Sequence, residues 1–343
     1  MELLLLGGAG YVGSHTAVEL LSAGSQVVIA DSFEGGNPDV ISRIQTITGK
    51  LVRVYQVDGR DRDGMETVFR ENHFDAVLHF AALKAVGESV REPLRYYRNN
   101  LDVTLPLLET MERHGVYRLV FSSSAAVYGA KEQMPLTEDA ALSPSNPYGW
   151  SKLMAEQMLR DVCAASECWA VCALRYFNPV GAHESGLMGE EPGGVPGNLM
   201  PCLTQAASGK REMLHIFGGD YPTRDGTGVR DYIHVMDLAK GHAAALSYLM
   251  GHAGYNAFNL GTGRPLSVLE LISAFEEATG RPIPRVMDSR RPGDVAVCWA
   301  DTEKARRELG WQAERSVEDM CRDAWRWQRE LDREARGREN QES

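Results

Sequence analysis

The sequence predicts an α/β fold: a Rossmann-type doubly wound parallel sheet with a smaller mixed C-terminal substrate domain. Three observations carry this. Short β-rich runs alternate with amphipathic stretches through the first half of the chain. A turn with glycines at Gly7, Gly10 and Gly13 joins the first run to the first amphipathic stretch. From about residue 178 to 228 the periodicity fades and glycine and proline become dense, as in PGGVPGNLMP and GGDYPTRDGTG.

Residues 3–6 are four leucines in a row, suited to a strand buried on both faces. Residues 11–23 place Val12, Leu20 and Leu21 at helical spacing. Residues 26–30, 51–57, 75–80, 116–121 and 169–177 read as further strands, separated by charged periodic segments such as 60–72 and 93–114. The irregular stretch after residue 178 reads as ligand-facing chain. Beyond it come a helix at 235–250, a strand at 256–260, and helices at 266–279 and 317–331. The expected units are a dinucleotide-binding domain at 1–177, rejoined by segments near 231–262, a substrate domain at 178–330, and a polar tail at 331–343.

Composition excludes several classes. The 343 residues are 43% hydrophobic and 24% charged, ordinary for a globular enzyme of about two domains. The net charge of −11 argues against a general nucleic-acid or anionic-membrane binder. The apolar start, residues 1–6, is far short of the ~20 residues that span a bilayer, and it has no basic flank or cleavage site of a signal peptide. Cys163, Cys168, Cys172, Cys202, Cys298 and Cys321 show neither C-x-x-C nor metal spacing with histidine. They read as free thiols in a reducing cytoplasm, with no metal site.

The chemistry starts at the glycines. Gly7 permits a tight turn, Gly10 lets the backbone approach a pyrophosphate, and Gly13 lets helix and strand pack closely. The following helix offers free N–H groups and the positive end of its dipole. Asp31, 18 residues after Gly13, ends the second strand, where a carboxylate accepts from both ribose hydroxyls of an adenosine. It repels a 2′-phosphate, and Ser32-Phe33-Glu34 supplies no cation, so NAD is favoured over NADP. Asp58, after the third strand, has the corresponding chance at the adenine amino group. Tyr148 and Lys152 lie four apart on one helical face. A phenol of pKa ~10 is a poor base at neutral pH, and a nearby ammonium favours its phenolate. Ser122-Ser123-Ser124 precedes them at the end of a strand and can set a hydroxyl beside the phenol.

Longer runs add a resemblance. GGAGYVGSHT, HFAALKAVGESV, SSSAAVYG, NPYGWSKLMAEQ, LRYFNPVGAH, GNLMP, DYPTRDGTGVRDYIHVMDLA and the RPGD corner at Arg291 together resemble the UDP-glucose 4-epimerase (UDP-galactose 4-epimerase) family of extended short-chain dehydrogenases/reductases, over about residues 1–330. The resemblance implies an isomerase of galactose and nucleotide-sugar metabolism that inverts C4 of UDP-hexoses through a 4-keto intermediate. It implies Ser124, Tyr148 and Lys152 as the catalytic set, with tyrosine the base and Lys152 holding the nicotinamide ribose and tuning it. For NAD it implies Gly7, Gly10, Tyr11, Val12, Gly13, Asp31, Ser32, Phe33, Glu34, Gly35, Gly36, Asp58, Gly59, Phe80, Ala81, Ala82, Leu83, Lys84, Asn99 and Phe177. For the UDP-sugar it implies Asn178, Asn198, Leu199, His215, Ile216, Phe217, Arg230, Arg291, Pro292, Gly293 and Asp294, with the two arginines suited to clamp a diphosphate.

Two rivals share the scaffold: another nucleotide-sugar enzyme, such as a 4,6-dehydratase or decarboxylase, and a non-catalytic NAD-binding regulator. A dehydratase resembling this family carries an acidic pair after its active-site hydroxyl, where this chain has Ala125 and Ala126. Ala126 also stands where many relatives carry threonine. A silent regulator is expected to have lost Tyr148 or Lys152. The family further implies a homodimer through the helices holding Leu101–Met111 and Leu153–Leu159, which carry more apolar positions than one buried stripe needs. The resemblance also implies that Cys298 falls on the sugar wall. A small residue there leaves room for a 2-acetamido group, so UDP-GalNAc and UDP-GlcNAc are expected substrates as well.

Overall fold

The computed structural model describes residues 1–194 and 196–342. The first half runs β1 (Glu2–Leu6), α1 (Tyr11–Ser22), β2 (Gln26–Asp31), α2 (Asp39–Thr48), β3 (Arg53–Gln56), α3 (Arg62–Arg70), β4 (Ala76–His79), α4 (Val86–Arg91), α5 (Pro93–Arg113), β5 (Arg118–Ser124), α6 (Pro147–Ala165) and β6 (Ala170–Tyr176). The second runs β7 (Asn178–Val180), α7 (Leu199–Ser208), β8 (Leu214–Phe217), β9 (Val229–Arg230), β10 (Tyr232–His234), α8 (Val235–Leu249), β11 (Gly254–Leu260), β12 (Leu266–Ser267), α9 (Val268–Thr279), β13 (Arg285–Asp288), β14 (Val297–Cys298) and α10 (Val317–Glu342).

Seven strands form one parallel sheet in the order β11-β6-β5-β4-β1-β2-β3. The leucine run explains itself here. Leu3 and Leu5 point to the face covered by α1 and α8, against Val18, Leu21, Leu238 and Leu246. Leu4 and Leu6 point to the other, against Met65 and Phe69 of α3, Leu107 of α5 and Leu159 of α6. A strand with no solvent face has no polar alternation. Chain order reverses between β1 and β4, so the crevice for a ligand opens at the carboxyl ends of these strands.

The remaining strands make three small sheets, β10-β7, β12-β9-β14 and β13-β8. A separate core of Met200, Leu203, Leu214, Ile216, Leu271, Phe275 and Met320 binds α7, α9 and α10 to them. Three local differences from the sequence reading have physical reasons. The helix expected at 266–279 begins at Val268, because Ser267 is its N-cap, with Glu270 completing a reciprocal capping box. The stretch expected to be irregular contains α7 and β8, whose apolar residues are buried against α9 and α10 rather than patterned over a long run. The last helix continues to Glu342, past residue 331, on a polar sequence joined by ion pairs such as Arg333–Glu330. Ser343 lies outside the described residues. Among the described residues no helix is long and apolar enough to cross a membrane.

Candidate active site

The glycine turn is a cradle. Gly7 sits at φ +78°, and a Cβ there would lie 2.5 Å from the backbone nitrogen of Ala81. A Cβ on Gly13 would lie 2.6 Å from the Gly7 carbonyl, so α1 can pack this closely only on glycine. Gly10, the N-cap of α1, meets nothing nearer than the Gly7 carbonyl at 3.4 Å, and no side chain caps the helix. Its N–H groups therefore face the crevice, which suits a diphosphate. Tyr11 fixes the first turn by donating from its hydroxyl to the Gly181 carbonyl at 2.7 Å, and Val12 packs on the core behind it.

Asp31 ends β2. Its two oxygens accept from the Ala9 N–H (2.9 Å) and the Phe33 N–H (2.9 Å), tying the cradle to the 32–36 turn. Burial raises its pKa and the two donors oppose this. Ser32, Glu34, Gly35 and Gly36 follow in that turn, where Phe33 adopts φ +57°. Asp58 and Gly59 follow β3. The Asp58 carboxylate is forked by Arg60, whose hydrogen bond lowers its pKa, so an adenine amino group would share it with that guanidinium. Phe80, Ala81, Ala82, Leu83 and Lys84 follow β4, and Phe177 follows β6. The cradle thus gathers its candidates at the carboxyl ends of successive strands. Asn99 comes in from α5, its amide on Asn100.

Ser124 ends β5, and its hydroxyl accepts from the Ala126 N–H at 3.1 Å. Tyr148 enters from the first turn of α6. That helix starts where it does because Asn146 caps it through the Gly149 N–H (2.9 Å), with Pro147 at N1. The phenol reaches Ser124. Burial raises the Tyr148 pKa, while the Ser124 hydrogen bond and the charge of Lys84 pull it down. Lys152, one turn on, is buried and donates to the Ser122 carbonyl at 2.6 Å, its ammonium 4.9 Å from the Phe121 ring. Burial lowers its pKa to about 7, against the charge of Glu156. The sequence reading gives the tuning of Tyr148 to Lys152. Lys84 adds its charge to the phenol's surroundings, while the Lys152 ammonium is bonded to the β5 backbone.

The nucleotide-side candidates converge on the opposite wall. Asn178 is in β7, Asn198 is the N-cap of α7, and Leu199 opens that helix. Arg291 donates to the Gly197 carbonyl (3.3 Å) and to Asp294 (3.0 Å), and its guanidinium lies 4.9 Å from the Phe217 ring. Pro292 and Gly293, the latter at φ +88°, make the corner between Arg291 and Asp294. Arg230 in β9 holds the Val229 and Ala296 carbonyls, and both arginines act on Tyr232. Cys298 pairs in register with Arg230 and is buried with Ala125, Val127 and Phe177. That places the thiol behind the turn that carries Ser124. In β8, His215 pairs with Asp288 (2.7 Å) and Phe217 is exposed, whereas the Ile216 side chain is buried in the second core, leaving its backbone alone to the cleft. No group of three or more His, Cys, Asp or Glu among the described residues could hold a metal.

Sequence reasoning missed the supports. Asn100, buried on α5, pairs with both the N–H and the carbonyl of Leu83 and donates to Ser151, so it fixes the 80–84 loop against the catalytic helix. Glu156 and Arg175 form a fully buried two-pronged pair (2.7 and 3.0 Å) under the site. Ser123 donates to Glu156 at 2.5 Å and Tyr255 at 2.8 Å. The one legible signal was Arg175, a charged residue in the otherwise apolar and buried run LRYF.

The chain matches the family model described as GDP-mannose 4,6 dehydratase over residues 4–324. It is 55% identical over 328 residues to the UDP-glucose 4-epimerase of Bacillus subtilis, covering 96% of this chain and 97% of that one. Among solved structures it is similar to the UDP-glucose 4-epimerase of Bifidobacterium longum in complex with NAD+ and UDP, with a TM-score of 0.94 and 50% identity over 96% of this chain and 98% of that one. The enzyme of Stenotrophomonas maltophila, with bound NAD and formylated UDP-arabinopyranose, gives a TM-score of 0.94 and 50% identity over 97% and 99%.

Proposed function

Because the chain belongs to the UDP-glucose 4-epimerase family, an NAD-dependent inversion at C4 of a UDP-hexose is its reaction, and we propose that Ser124, Tyr148 and Lys152 carry it out. The observation that supports this assignment is the convergence of Ser124 at the end of β5 with Tyr148 and Lys152 on one face of α6, beside the glycine cradle. NAD, when bound, would supply the hydride acceptor and donor for C4. Tyr148 accepts the 4-hydroxyl proton as the carbonyl forms and returns it at the end. Ser124 would orient that hydroxyl by a hydrogen bond, and Lys152 would hold the nicotinamide ribose. The residues for NAD are those of the cradle and of the turns after β2, β3 and β4. Asn178, Asn198, Leu199, Arg230 and Arg291 to Asp294 hold the UDP, with His215 to Phe217 along the base. This divides the labour between residues 1–177 with the 231–262 return, and the 178–330 unit. Ala125 and Ala126 after Ser124 supply no acid or base for a dehydration. The test is product analysis by NMR: UDP-galactose must give UDP-glucose and no dehydrated or decarboxylated sugar.

Cys298 supports a wider substrate range. A tyrosine in that buried slot, behind Ala125 and Phe177, would fill volume that a 2-acetamido group needs. Wild type should interconvert UDP-GlcNAc and UDP-GalNAc, and Cys298→Tyr should lose that activity while largely keeping the other. A preference of wild type for the plain sugar above ~10⁴-fold counts against it.

The chain also pairs with a second copy. Val90 of α4, Leu94 and Leu105 of α5, and Trp150 and Met154 of α6 are exposed. These helices pack together, so their exposed apolar residues suit a twofold helix bundle. Sedimentation at micromolar concentration should give a dimer. Six free cysteines suit a reducing cytoplasm.

A further inference from the structure

Glu190 belongs to neither wall of the cleft as assigned above, yet one of its oxygens touches both. Oε1 accepts from Lys84 Nζ at 2.9 Å and from Asn198 Nδ2 at 2.7 Å. Its side chain is 11% exposed. Its place is built from several sides. The His183 N–H bonds the Met188 carbonyl (2.8 Å) and Ala182 bridges Gly189, closing a hairpin that Tyr11 anchors at Gly181. Gly189 lies flat on Trp327 of α10: a Cβ there would come within 2.3 Å of the indole. The same indole donates to the Glu190 carbonyl at 3.0 Å.

Asn198 adds a second observation. It is the N-cap of α7, where an asparagine side chain ordinarily accepts from the first-turn N–H groups. Here it makes no cap bond and spends its amide on Glu190. Pro201 at N3 has no N–H to be capped, so the Asn198 side chain is released for this bond across the cleft, and the Leu199 and Met200 N–H groups carry no side-chain cap.

We propose that Glu190 is a positioning residue that locks the nucleotide-side helix α7 to the cofactor-side loop at Lys84, holding Asn198 and Lys84 at fixed places across the cleft, the latter beside Tyr148. This rests on the UDP-sugar reading above. It has a charge consequence. Lys84 faces Glu190, the Tyr11 ring (5.8 Å) and Tyr148. Tyr148 faces Ser124, Lys84 and Tyr176, with Lys152 one turn on. Glu190 also acts on Tyr11 and Cys202. The Lys84 side chain is 59% exposed and Glu190 raises its pKa, so Lys84 is charged and the carboxylate dampens its pull on the phenol. Removing the Glu190 charge leaves Lys84 uncompensated, which favours the Tyr148 phenolate.

Two variants separate the two effects. Glu190→Ala cuts Asn198 and the start of α7 loose from the Lys84 loop, and should weaken calorimetric binding of UDP and raise KM for UDP-galactose by about tenfold or more. Glu190→Gln keeps an acceptor for both donors and should hold KM within about threefold. Its acid limb of kcat against pH should move to lower pH by about half a unit. A merely structural residue would not move that limb at unchanged KM. UDP affinity within threefold of wild type in Glu190→Ala, or an unmoved acid limb in Glu190→Gln, overturns the proposal. A wild type that binds UDP and turns over no UDP-hexose overturns the parent reading instead.

Discussion

The two walls of the cleft are built by different means. The cofactor wall hangs from the ends of strands four to seven residues long in one continuous sheet. The nucleotide wall hangs from strands of two to four residues in separate small sheets. Its side chains are instead joined by long-range bonds such as Arg291 to Gly197 and Glu190 to Lys84. On the proposed assignment, the chemistry that every substrate shares falls on the stiff wall, where sub-ångström placement matters, and recognition falls on the wall whose parts can be changed one at a time.

The comparison predicts where damage is greatest. Tyr148→Phe, on the stiff wall, should lower kcat by 10²–10⁴-fold with circular dichroism and bound NAD unchanged. Turnover near wild type would remove the tyrosine from its role. Glu156→Gln leaves the Arg175 guanidinium buried and uncompensated beneath the same wall, and should cost ~3–5 kcal/mol in a urea titration. A cost under about 1 kcal/mol would show that the pair supports nothing.

Acid should attack the sheet domain. His15 and His79 have pKa values lowered to about 3, and His242 to about 4, each by burial. All three stay neutral in the fold and protonate on unfolding, so the unfolded chain binds more protons below about pH 6.5. Their contribution is full above that pH and is lost as pH falls toward 4, with a slope approaching about 4 kcal/mol per pH unit near pH 5. Urea midpoints measured at pH 7 and pH 5 check this, and equal midpoints contradict it. Smallest is Asn146→Ala, which removes the cap of the catalytic helix and should cost ~1 kcal/mol.

What could be read from the sequence follows the same division. Leu3 to Leu6, the glycines and Asp31 are local signals, because each acts through its own strand or turn. Asn146-Pro147 ahead of Tyr148 likewise encodes its own helix start. α7 and β8 escaped, since Leu203, Leu214 and Ile216 are apolar for partners more than 50 residues away, such as Leu271 and Phe275. Glu190 and Asn100 escaped for the same reason: their partners lie 106 and 17 positions away, and nothing adjacent marks them. The lowered pKa of Lys152 was also hidden, because it comes from burial in the fold rather than from its spacing from Tyr148.

The central claim is that C4 is inverted by removing its hydrogen as hydride and returning the same hydrogen. The most direct measurement is epimerisation of UDP-galactose by the wild-type protein in D₂O, followed by NMR of the UDP-glucose formed. The account predicts protium at C4 in the product, since Tyr148 handles the hydroxyl proton alone. Deuterium at C4 would show that carbon is deprotonated and reprotonated from solvent, and would contradict it.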